Sequence, residues 1–316
     1  MGAPPAQFRS AEKNSARKVV IVVTDADRAP ISVIGLGFMG AALAGAYLKA
    51  GHPTTVWNRS SGKADALVAQ GAKNAEDIAA AVDAADILVV CVMDYPAVYS
   101  ILDPVKDSLR GKVIVNLTSG LPDDARGAAT WAESVGADYL DGYIMTVPPA
   151  VGLPQTLLFY GGSAEVFAEH EATLKVLGGN SIHLGADAGI AAIYDFGLLA
   201  ILWSSLAGAL HAYALVASEK VPAAALAPFA EQWITHVVLP SVKGAAQAVD
   251  AGQYATTIST TALNAVGLAK MVEASKAAGI RPDLMVPIKN YLEKRVADGH
   301  GDEALAGMFE VIRNPE

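Results

Sequence analysis

The residues best suited to chemistry begin with a glycine-rich turn of the pattern G-x-G-x-x-G, which comprises Gly35, Leu36, Gly37, Phe38, Met39 and Gly40. The turn follows an apolar segment and opens an Ala/Leu-rich one, and a strand–turn–helix context of this kind is typical of a dinucleotide site. Gly35 permits a tight turn, Gly37 lets the backbone approach a pyrophosphate, and Gly40 allows close helix–strand packing. The helix N-terminus then offers N–H groups to the phosphates. A purely structural turn is the alternative.

Polar and basic residues follow the next apolar segment, where the sequence is Trp57-Asn58-Arg59-Ser60-Ser61-Gly62-Lys63. An NAD site usually has an acidic residue about 20 positions after the glycines, to accept hydrogen bonds from the ribose hydroxyls. No acid is present here, and a 2′-phosphate would instead meet a guanidinium, a hydroxyl and an ammonium. Charge-assisted hydrogen bonds of this kind contribute about 1.5–3 kcal/mol each. The pattern favours NADPH over NADH, and a solvated basic turn is the alternative.

Two later strand ends are expected to line the same crevice, because the carboxyl ends of parallel strands meet at one edge of a sheet. Val92 and Met93 are predicted to pack on the cofactor. Thr118 and Ser119 are predicted to reach the nicotinamide ribose. Ordinary turn chemistry would also account for either pair.

Asp195 is the candidate proton donor, because it is the only acidic residue between Asp187 and Glu219. The leucines on its side of the helical wheel are Leu198, Leu199, Leu202 and Leu206. Desolvation on such a stripe should raise the pKa of the carboxyl, so that a protonated acid is available near neutral pH. Tyr194 is the competing donor, and an ion pair or a helix cap is the structural alternative for Asp195.

Weaker candidates lie further along the chain. Trp203 sits beside the Asp195 face and is a possible pocket wall, and Trp233 and His236 are possible cleft residues. The histidines stand without metal-ligand spacing, so no metal is predicted. Cys91 is the only cysteine, which excludes an intramolecular disulfide.

The elements that must position these residues alternate regularly from Ile31 onward, which predicts a doubly wound parallel α/β sheet, the Rossmann type. The predicted strands are 31–35, 54–57, 86–92, 112–117, 138–143, 156–160 and 181–184. The predicted helices run to Ala50 from the glycine turn, then over 61–70, 76–83, 96–109, 122–135 and 163–177.

After Gly185 the pattern becomes helical to about residue 311, with breaks expected near Pro222, Pro240, Gly252 and Pro282. The first of these helices is predicted over 188–217, with Asp187 as its N-cap. So apolar a helix is expected to lie between domains or between subunits.

Three domains are therefore expected, namely a leader over 1–30, a nucleotide-binding domain over 31–186 and an all-helical domain over 187–316. The leader is predicted to be flexible or to add an edge strand at Lys18–Val23.

Bulk composition narrows the function classes. The chain has 316 residues, of which 53% are hydrophobic and 17% charged, and its net charge of −9 argues against a nucleic-acid partner. Residues 1–18 are polar and do not resemble a signal peptide, so a cytoplasmic location is expected. Phe196–Ser218 lacks charged residues over a length that could span a bilayer. It also lacks flanking Lys or Arg clusters, so an interface or core helix is favoured over a membrane span.

Together these segments resemble the imine reductases and reductive aminases, a branch of the β-hydroxyacid dehydrogenase superfamily. The matching segments are 35–40, 57–63, 116–120, 142–149 and 192–199. The resemblance implies NADPH-dependent reduction of cyclic imines or iminium ions. It also implies a Rossmann domain joined by a long helix to a helical domain, exchanged reciprocally in a homodimer.

The resemblance also implies roles for individual residues. Asp195 matches the position of the family's proposed proton donor, which is Asp in one subgroup and Tyr in another. Trp203 matches a pocket position that is often aromatic, and Met145 lies in a matching pocket segment. Ser119 stands where reductive aminases often have Asn, which weakens the expectation that ketone and amine are coupled.

Two rival functions stay open at this point. A β-hydroxyacid dehydrogenase would need a Lys on the interdomain helix, but Ile193 occupies that position and no Lys lies between Lys175 and Lys220. Such a dehydrogenase would also have a Ser-Gly-Gly substrate loop, but this chain has Thr146-Val147-Pro148 at that place. A non-catalytic NADPH-binding protein is the second rival, because the fold binds nucleotides without necessarily reacting them.

Overall fold

The computed structural model describes residues 28–314, so the strand predicted at Lys18–Val23 lies outside the described residues. The chain forms two compact units, and the division between them falls between Gly197 and Leu198. The first unit carries the glycine turn and Asp195. The second unit carries the remaining helices.

The first unit is built on one eight-stranded sheet with the strand order β3-β2-β1-β4-β5-β6-β7-β8. The strands are β1 Ile31–Ile34, β2 Thr54–Trp57, β3 Lys73–Asn74, β4 Ile87–Val90, β5 Val113–Asn116, β6 Asp138–Ile144, β7 Leu157–Gly162 and β8 Asn180–Gly185. Strands β1 to β6 pair in parallel, and the chain reverses strand order between β3 and β4 beside β1. The predicted doubly wound sheet is confirmed, with its ligand crevice expected at that reversal.

One part of the sheet departs from the expected parallel pairing. β6 and β7 are antiparallel. The connection between them, 145–156, contains only the short 3-10 turn Pro148–Ala150 instead of a helix. Parallel neighbours need a crossover connection, usually a helix, so β7 reverses direction beside β6. β3 was not predicted at all, because its two residues are polar and exposed.

The helices of the first unit cover both faces of this sheet. They are α1 Phe38–Lys49, α2 Asp65–Val68, α3 Ile78–Asp83, α4 Tyr95–Leu102, α5 Pro122–Ser134 and α6 Ala164–Leu174, with a 3-10 segment at Asp103–Leu109. Alternate residues of the central strands enter two separate cores: Val33 and Val89 join one, while Ile34 and Leu88 join the other. This alternation follows from the two-residue period of a strand.

The long helix α7, Ile190–Ser218, starts in the first unit and continues into the second. The Asp187 carboxylate accepts a hydrogen bond from the Gly189 N–H at 3.0 Å and pairs with Arg126 at 2.7 Å. It therefore stabilises the turn that leads into α7, close to its predicted capping role. The second unit continues with α8 Ala223–Trp233, α9 Leu239–Ala251, α10 Thr261–Ala277, α11 Met285–Ala297 and α12 Met308–Arg313.

The helix break predicted at Pro240 is wrong. Between α8 and α9 the chain stays helical through a π-helical segment, Ile234–Val238, which ends just before Leu239 and Pro240. Proline has no N–H and its ring clashes with the carbonyl four residues earlier. A π-type widening of the turn accommodates such a residue without ending the helix. Gly252 ends α9 with φ +62°, as expected.

The leucine stripe of α7 is largely exposed within one chain, with Leu202 and Leu206 each 55% exposed. Ile190–Ser218 is long and apolar enough to cross a membrane, and only 17% of its most apolar window is buried. The expected rise in the pKa of Asp195 is confirmed in direction, with burial as its cause; the part that these leucines play in it stays a prediction. Asp195 itself is nearly buried, with 6% of its surface exposed.

Candidate active site

The glycine turn has the local geometry that a dinucleotide requires. Gly35 has φ +96°, and a Cβ there would overlap the Cys91 carbonyl oxygen. A Cβ on Gly40 would overlap the Gly35 carbonyl oxygen, so α1 packs directly on the turn. Gly37, the N-cap of α1, faces open space, and no side chain caps the helix there. The first N–H groups of α1 are therefore available to a phosphate.

This difference between the glycines gives a testable prediction. Gly37→Ala is expected to fold with an unchanged unfolding midpoint, because nothing lies within 4 Å of the added Cβ. It should nevertheless weaken NADPH binding by at least about tenfold, because the methyl group blocks the approach of the pyrophosphate. Fluorescence titration with NADPH measures the affinity, and circular dichroism measures the midpoint.

Gly40→Ala is the matched control for that substitution. Its Cβ meets backbone at Gly35, so it should lower the unfolding midpoint as well as the affinity. Equal NADPH affinity in Gly37→Ala and the wild type would show that the phosphates bind elsewhere.

A cleft of about 390 Å³ runs along this turn and brings together most of the predicted cofactor residues. The predicted residues that line it are Gly35, Gly37, Phe38, Met39, Gly40, Asn58, Arg59, Ser60, Val92 and Met93. Lys63 is exposed and is not among the lining residues. Arg59 and Ser60 are also exposed at the end of β2, where a 2′-phosphate would be reached from solvent.

Asn58 has a more structural place than the sequence indicated. Its Oδ1 accepts a hydrogen bond from the Leu36 N–H at 2.9 Å, and its Nδ2 donates to the Ser60 carbonyl at 3.1 Å. It therefore ties the glycine turn to the basic turn that follows β2. Together with the Gly35 N–H, which donates to the Trp57 carbonyl at 2.9 Å, it links the two halves of the cleft.

A second cavity of about 260 Å³ adjoins the cleft. Its lining residues are Met39, Cys91, Val92, Met93, Leu117, Ser119, Tyr143, Ile144 and Asp195. The first four of these also line the cleft, so the two cavities form one crevice. The fold thus brings Ser119 and Asp195, which are 76 positions apart in the sequence, into one cavity.

Asp195 is 6% exposed, and burial raises the pKa of its carboxyl above the ordinary value. Tyr194 is 48% exposed, and its ring meets Phe159 edge-on with the centroids 5.5 Å apart. Tyr194 does not line the Asp195 cavity. Of the two candidate donors, only the carboxyl is therefore in the crevice of this chain.

Of the predicted substrate-pocket residues, one belongs to the first unit and three belong to the second. Met145 packs against the small core cluster that contains Phe159 and does not line the cavity. Trp203 and Trp233, in the second unit, are each 63% exposed, and His236 is exposed in the π-helical segment.

Thr118 lies behind the crevice wall and does not line it. It is 1% exposed, and its Oγ1 accepts a hydrogen bond from the Val92 N–H at 3.2 Å. Its own N–H donates to Asn116 Oδ1 at 3.1 Å. Thr118 therefore joins the ends of β4 and β5, and Ser119 is the residue of this pair that faces the crevice.

Sequence reasoning missed Tyr143 and Cys91 as crevice residues. The Tyr143 hydroxyl donates to the Gly120 carbonyl at 2.8 Å and accepts from the Gly120 N–H at 3.2 Å. Its position at the end of a predicted strand was the available signal, by the same strand-end rule that indicated Val92 and Ser119. Burial raises the pKa of the Cys91 thiol to about 11, which favours its protonated form at neutral pH.

Asp141 in β6 is a fully buried carboxyl close to this crevice. Its Oδ1 accepts hydrogen bonds from the hydroxyls of Tyr95 at 2.6 Å and Tyr139 at 2.7 Å. Its Oδ2 has no hydrogen-bond partner among the described residues. Burial raises the pKa of Asp141 to about 7, although the two hydroxyl donors act in the opposite direction.

This burial predicts a pH-dependent stability. The unfolded chain releases the Asp141 proton near its ordinary pKa of 3.8, whereas the folded chain holds it until about pH 7. The bound proton therefore makes its full contribution to the free energy of unfolding below about pH 4. That contribution decreases as the pH rises and is lost once the pH has passed about 7. Because one pKa unit corresponds to about 1.4 kcal/mol, the loss is a few kcal/mol. Urea unfolding at pH 5 and pH 8 measures it.

Asp141→Asn is the matched variant, because the amide has the same shape and does not titrate. Its stability should change less between pH 5 and pH 8 than that of the wild type. Parallel curves for the two proteins would show that Asp141 is ionised throughout this range.

Across residues 28–314, no cluster of three or more His, Cys, Asp or Glu side chains is placed to hold a metal ion. The polar groups that line the crevice include the Asp195 carboxyl and the Ser119 hydroxyl, beside apolar side chains and the glycine turn.

The fold and the crevice define a dinucleotide-binding protein of the Rossmann type with a helical C-terminal half. The profile of the NAD binding domain of 6-phosphogluconate dehydrogenase matches residues 30–185. The profile of the NADPH-dependent reductive aminase-like C-terminal domain matches residues 187–314.

Individual relatives agree with these profiles. An NADPH-dependent reductive aminase from Aspergillus oryzae is 37% identical over 287 residues, which cover 90% of this chain and 97% of the relative. An imine reductase from Myxococcus stipitatus in complex with NADP⁺ is 35% identical, with a TM-score of 0.86 over 90% of this chain and 99% of the other. A reductive aminase from Aspergillus terreus, in complex with NADPH and ethyl levulinate, is 38% identical, with a TM-score of 0.85 over the same shares. The chain belongs to the reductive aminase and imine reductase family, as its motifs predicted.

Proposed function

We propose that the protein reduces the C=N bond of cyclic imines or iminium ions with NADPH. The observation that carries this proposal is the nearly buried Asp195 carboxyl in the cavity that adjoins the dinucleotide cleft. Membership of a family whose relatives are named imine reductases and reductive aminases supports the same reaction.

The residues of the cleft fit NADPH. Gly37 leaves room for a pyrophosphate, and Arg59 and Ser60, with Lys63 nearby, would bind the 2′-phosphate. Phe38 is 93% exposed and Met93 is 87% exposed, so the cleft presents apolar surface that a nucleotide would cover. When bound, NADPH supplies a hydride from its nicotinamide C4 to the electrophilic carbon of the substrate.

The residues around Asp195 would supply the rest of the chemistry. Burial raises the pKa of the Asp195 carboxyl above its ordinary value, which favours its protonated form. In that form the carboxyl would give its proton to the imine nitrogen. In its ionised form the same group would hold an iminium ion by charge. Apolar walls from Leu117 and Ile144 would exclude water and so protect the imine from hydrolysis.

The domain assignment and the assembly are part of this proposal. Residues 31–186 would bind NADPH, and residues 187–316 would form the interdomain helix and the helical dimerisation and substrate domain. Trp203, Trp233 and His236 are proposed substrate-pocket residues of that domain, with Met145 from the first. We propose a cytoplasmic homodimer that exchanges its helical domains.

The exposed apolar stripe of α7 supports a dimer, because a surface of this kind is normally covered by a partner. Light scattering should accordingly give twice the 32.6 kDa mass of one chain. Leu206→Glu, which places a charge on the stripe, should shift the mass towards that of one chain. A wild-type mass of one chain would contradict the proposed dimer.

The reaction is tested by mixing the protein with NADPH and 1-pyrroline and following absorbance at 340 nm. Loss of absorbance with formation of pyrrolidine is the expected result. No imine turnover together with oxidation of a β-hydroxyacid by NADP⁺ would favour the dehydrogenase rival. NADPH binding without either reaction would favour a non-catalytic NADPH-binding protein.

A further inference from the structure

We infer that Asp141 is a positioning residue of the active site, whose buried carboxyl fixes two walls of the crevice through Tyr139 and Tyr95. Asp141 is outside the crevice and would touch neither cofactor nor substrate. Its effect on turnover rests on the proposed function, whereas its effect on crevice geometry does not.

The first branch of hydrogen bonds runs from Asp141 to the wall shared by the cleft and the cavity. The Tyr139 hydroxyl donates to Asp141 Oδ1 at 2.7 Å and accepts from Asn116 Nδ2 at 2.9 Å. The side-chain Oδ1 of Asn116 then accepts from the Thr118 N–H, and the Thr118 hydroxyl accepts from the Val92 N–H. Every member is buried except Val92, which lines both cavities. The carboxyl thereby sets the position of the Val92 backbone.

The second branch runs through Tyr95 to the turn that contains Ser119 and Gly120. The Tyr95 hydroxyl donates to Asp141 Oδ1 at 2.6 Å, which holds its ring against Gly120 so closely that a Cβ on Gly120 would overlap the ring. Both backbone polar groups of Gly120 are bonded to the Tyr143 hydroxyl. Tyr143 lines the cavity together with Asp195, and Ser119 precedes Gly120 on the same wall. The position of Tyr95 thus fixes the turn that carries Ser119.

The arrangement lowers the stability of the folded chain, which is an argument that it serves the active site. A buried carboxyl with one oxygen unpartnered destabilises the folded chain, and natural proteins keep such groups mainly where function requires them. Both tyrosine hydroxyls donate to Asp141 Oδ1, so the two branches begin at the same atom. A network of this kind specifies one arrangement of the groups attached to it.

Tyr139→Phe and Tyr95→Phe each remove one link and leave the ring in place. Tyr47→Phe is the matched control, because the Tyr47 hydroxyl is also fully buried but has no hydrogen-bond partner in the described part of the chain. Tyr47 belongs to the core on the other face of the sheet. Asp141→Asn retains an acceptor oxygen for both tyrosines, whereas Asp141→Leu retains none.

The experiment measures kcat and KM for 1-pyrroline and the Kd for NADPH, at a temperature where circular dichroism shows each variant to be folded. Tyr139→Phe and Asp141→Leu are expected to lower kcat at least fivefold, with the Kd for NADPH within twofold of the wild type. Asp141→Asn should recover most of the lost kcat, and Tyr47→Phe should match the wild type. If Asp141→Leu does not fold, the double variant Tyr95→Phe/Tyr139→Phe takes its place.

Wild-type kcat in folded Tyr139→Phe and in the double variant would overturn the inference, as would an equal loss in Tyr47→Phe. If the wild type itself does not reduce 1-pyrroline, the proposed function fails, and the fluorescence emission of bound NADPH becomes the readout. A shift of that emission in Tyr139→Phe but not in Tyr47→Phe would still support the positioning role. An unchanged emission in both would overturn it.

Discussion

Asp195→Asn is expected to lower imine reduction more than tenfold while NADPH binding is retained. The amide keeps the size of the side chain but cannot give up a proton, and general acid catalysis is typically worth about 10²–10⁴-fold. Asp195 lines the second cavity and is not among the residues that line the cleft, where the glycine and basic turns would hold the nucleotide phosphates. Steady-state kinetics with 1-pyrroline and a fluorescence titration with NADPH measure the two effects.

Tyr194→Phe is the control for this prediction and should keep most of the activity, because Tyr194 packs on Phe159 and does not line the cavity. An N-methyl iminium substrate separates the two roles open to Asp195. It needs no proton, so Asp195→Asn should spare its reduction if the carboxyl is a donor and impair it if the carboxyl holds the cation. Unchanged turnover of both substrates would remove Asp195 from the mechanism.

Arg59→Ala is expected to abolish most of the preference for NADPH over NADH. A charge-assisted hydrogen bond contributes about 1.5–3 kcal/mol, so the Kd for NADPH should rise roughly 10- to 100-fold. The Kd for NADH, which has no 2′-phosphate, should change less than about twofold by the same reasoning. Titration of the variant with each nucleotide measures the ratio directly.

Arg110→Ala provides the matched control, because Arg110 is an exposed arginine that lines neither part of the crevice. It should leave both affinities unchanged. If Arg59→Ala weakened NADH and NADPH equally, Arg59 would act on the shared adenine or ribose, and the phosphate assignment would be wrong.

The parts of the site that follow from short-range sequence rules were predictable. β2 spans Thr54–Trp57 as expected, and the cleft is built on the glycine turn after β1 and the basic turn after β2. Turn and strand signals of this kind depend on neighbours within a few residues. The same rules indicated Ser119 and Asp195, which the fold brings into one cavity.

The features that depend on distant residues were not predictable in the same way. Asp195 was expected on a leucine stripe of its own helix, and the sequence did not show that it shares a cavity with Leu117, Tyr143 and Ile144. The direction of β7 depends on its pairing with β6. The continuity of the helix through Pro240 depends on the π-helical segment that precedes this proline. Local propensity does not determine such choices, because tertiary context overrides it.

Buried hydrogen-bond networks are the features that the sequence predicts least. Nothing in the sequence near Asp141 shows that Tyr95, 46 positions away, donates to it. Thr118 was predicted to touch the cofactor, but its hydroxyl bonds to the Val92 backbone instead. A polar residue at a strand end can face the crevice or the layer behind it. Which of the two it faces depends on how the whole sheet is assembled.

The central claim is that this crevice transfers a hydride to a C=N bond with Asp195 as the partner of the nitrogen. The most direct measurement is a single turnover of the NADPH-loaded protein with 1-pyrroline, quantifying pyrrolidine and NADP⁺ for the wild type and for Asp195→Asn. We predict one pyrrolidine for each NADPH consumed by the wild type, and strongly slowed formation in the variant. Full NADPH binding by the wild type with no pyrrolidine formed would contradict the claim.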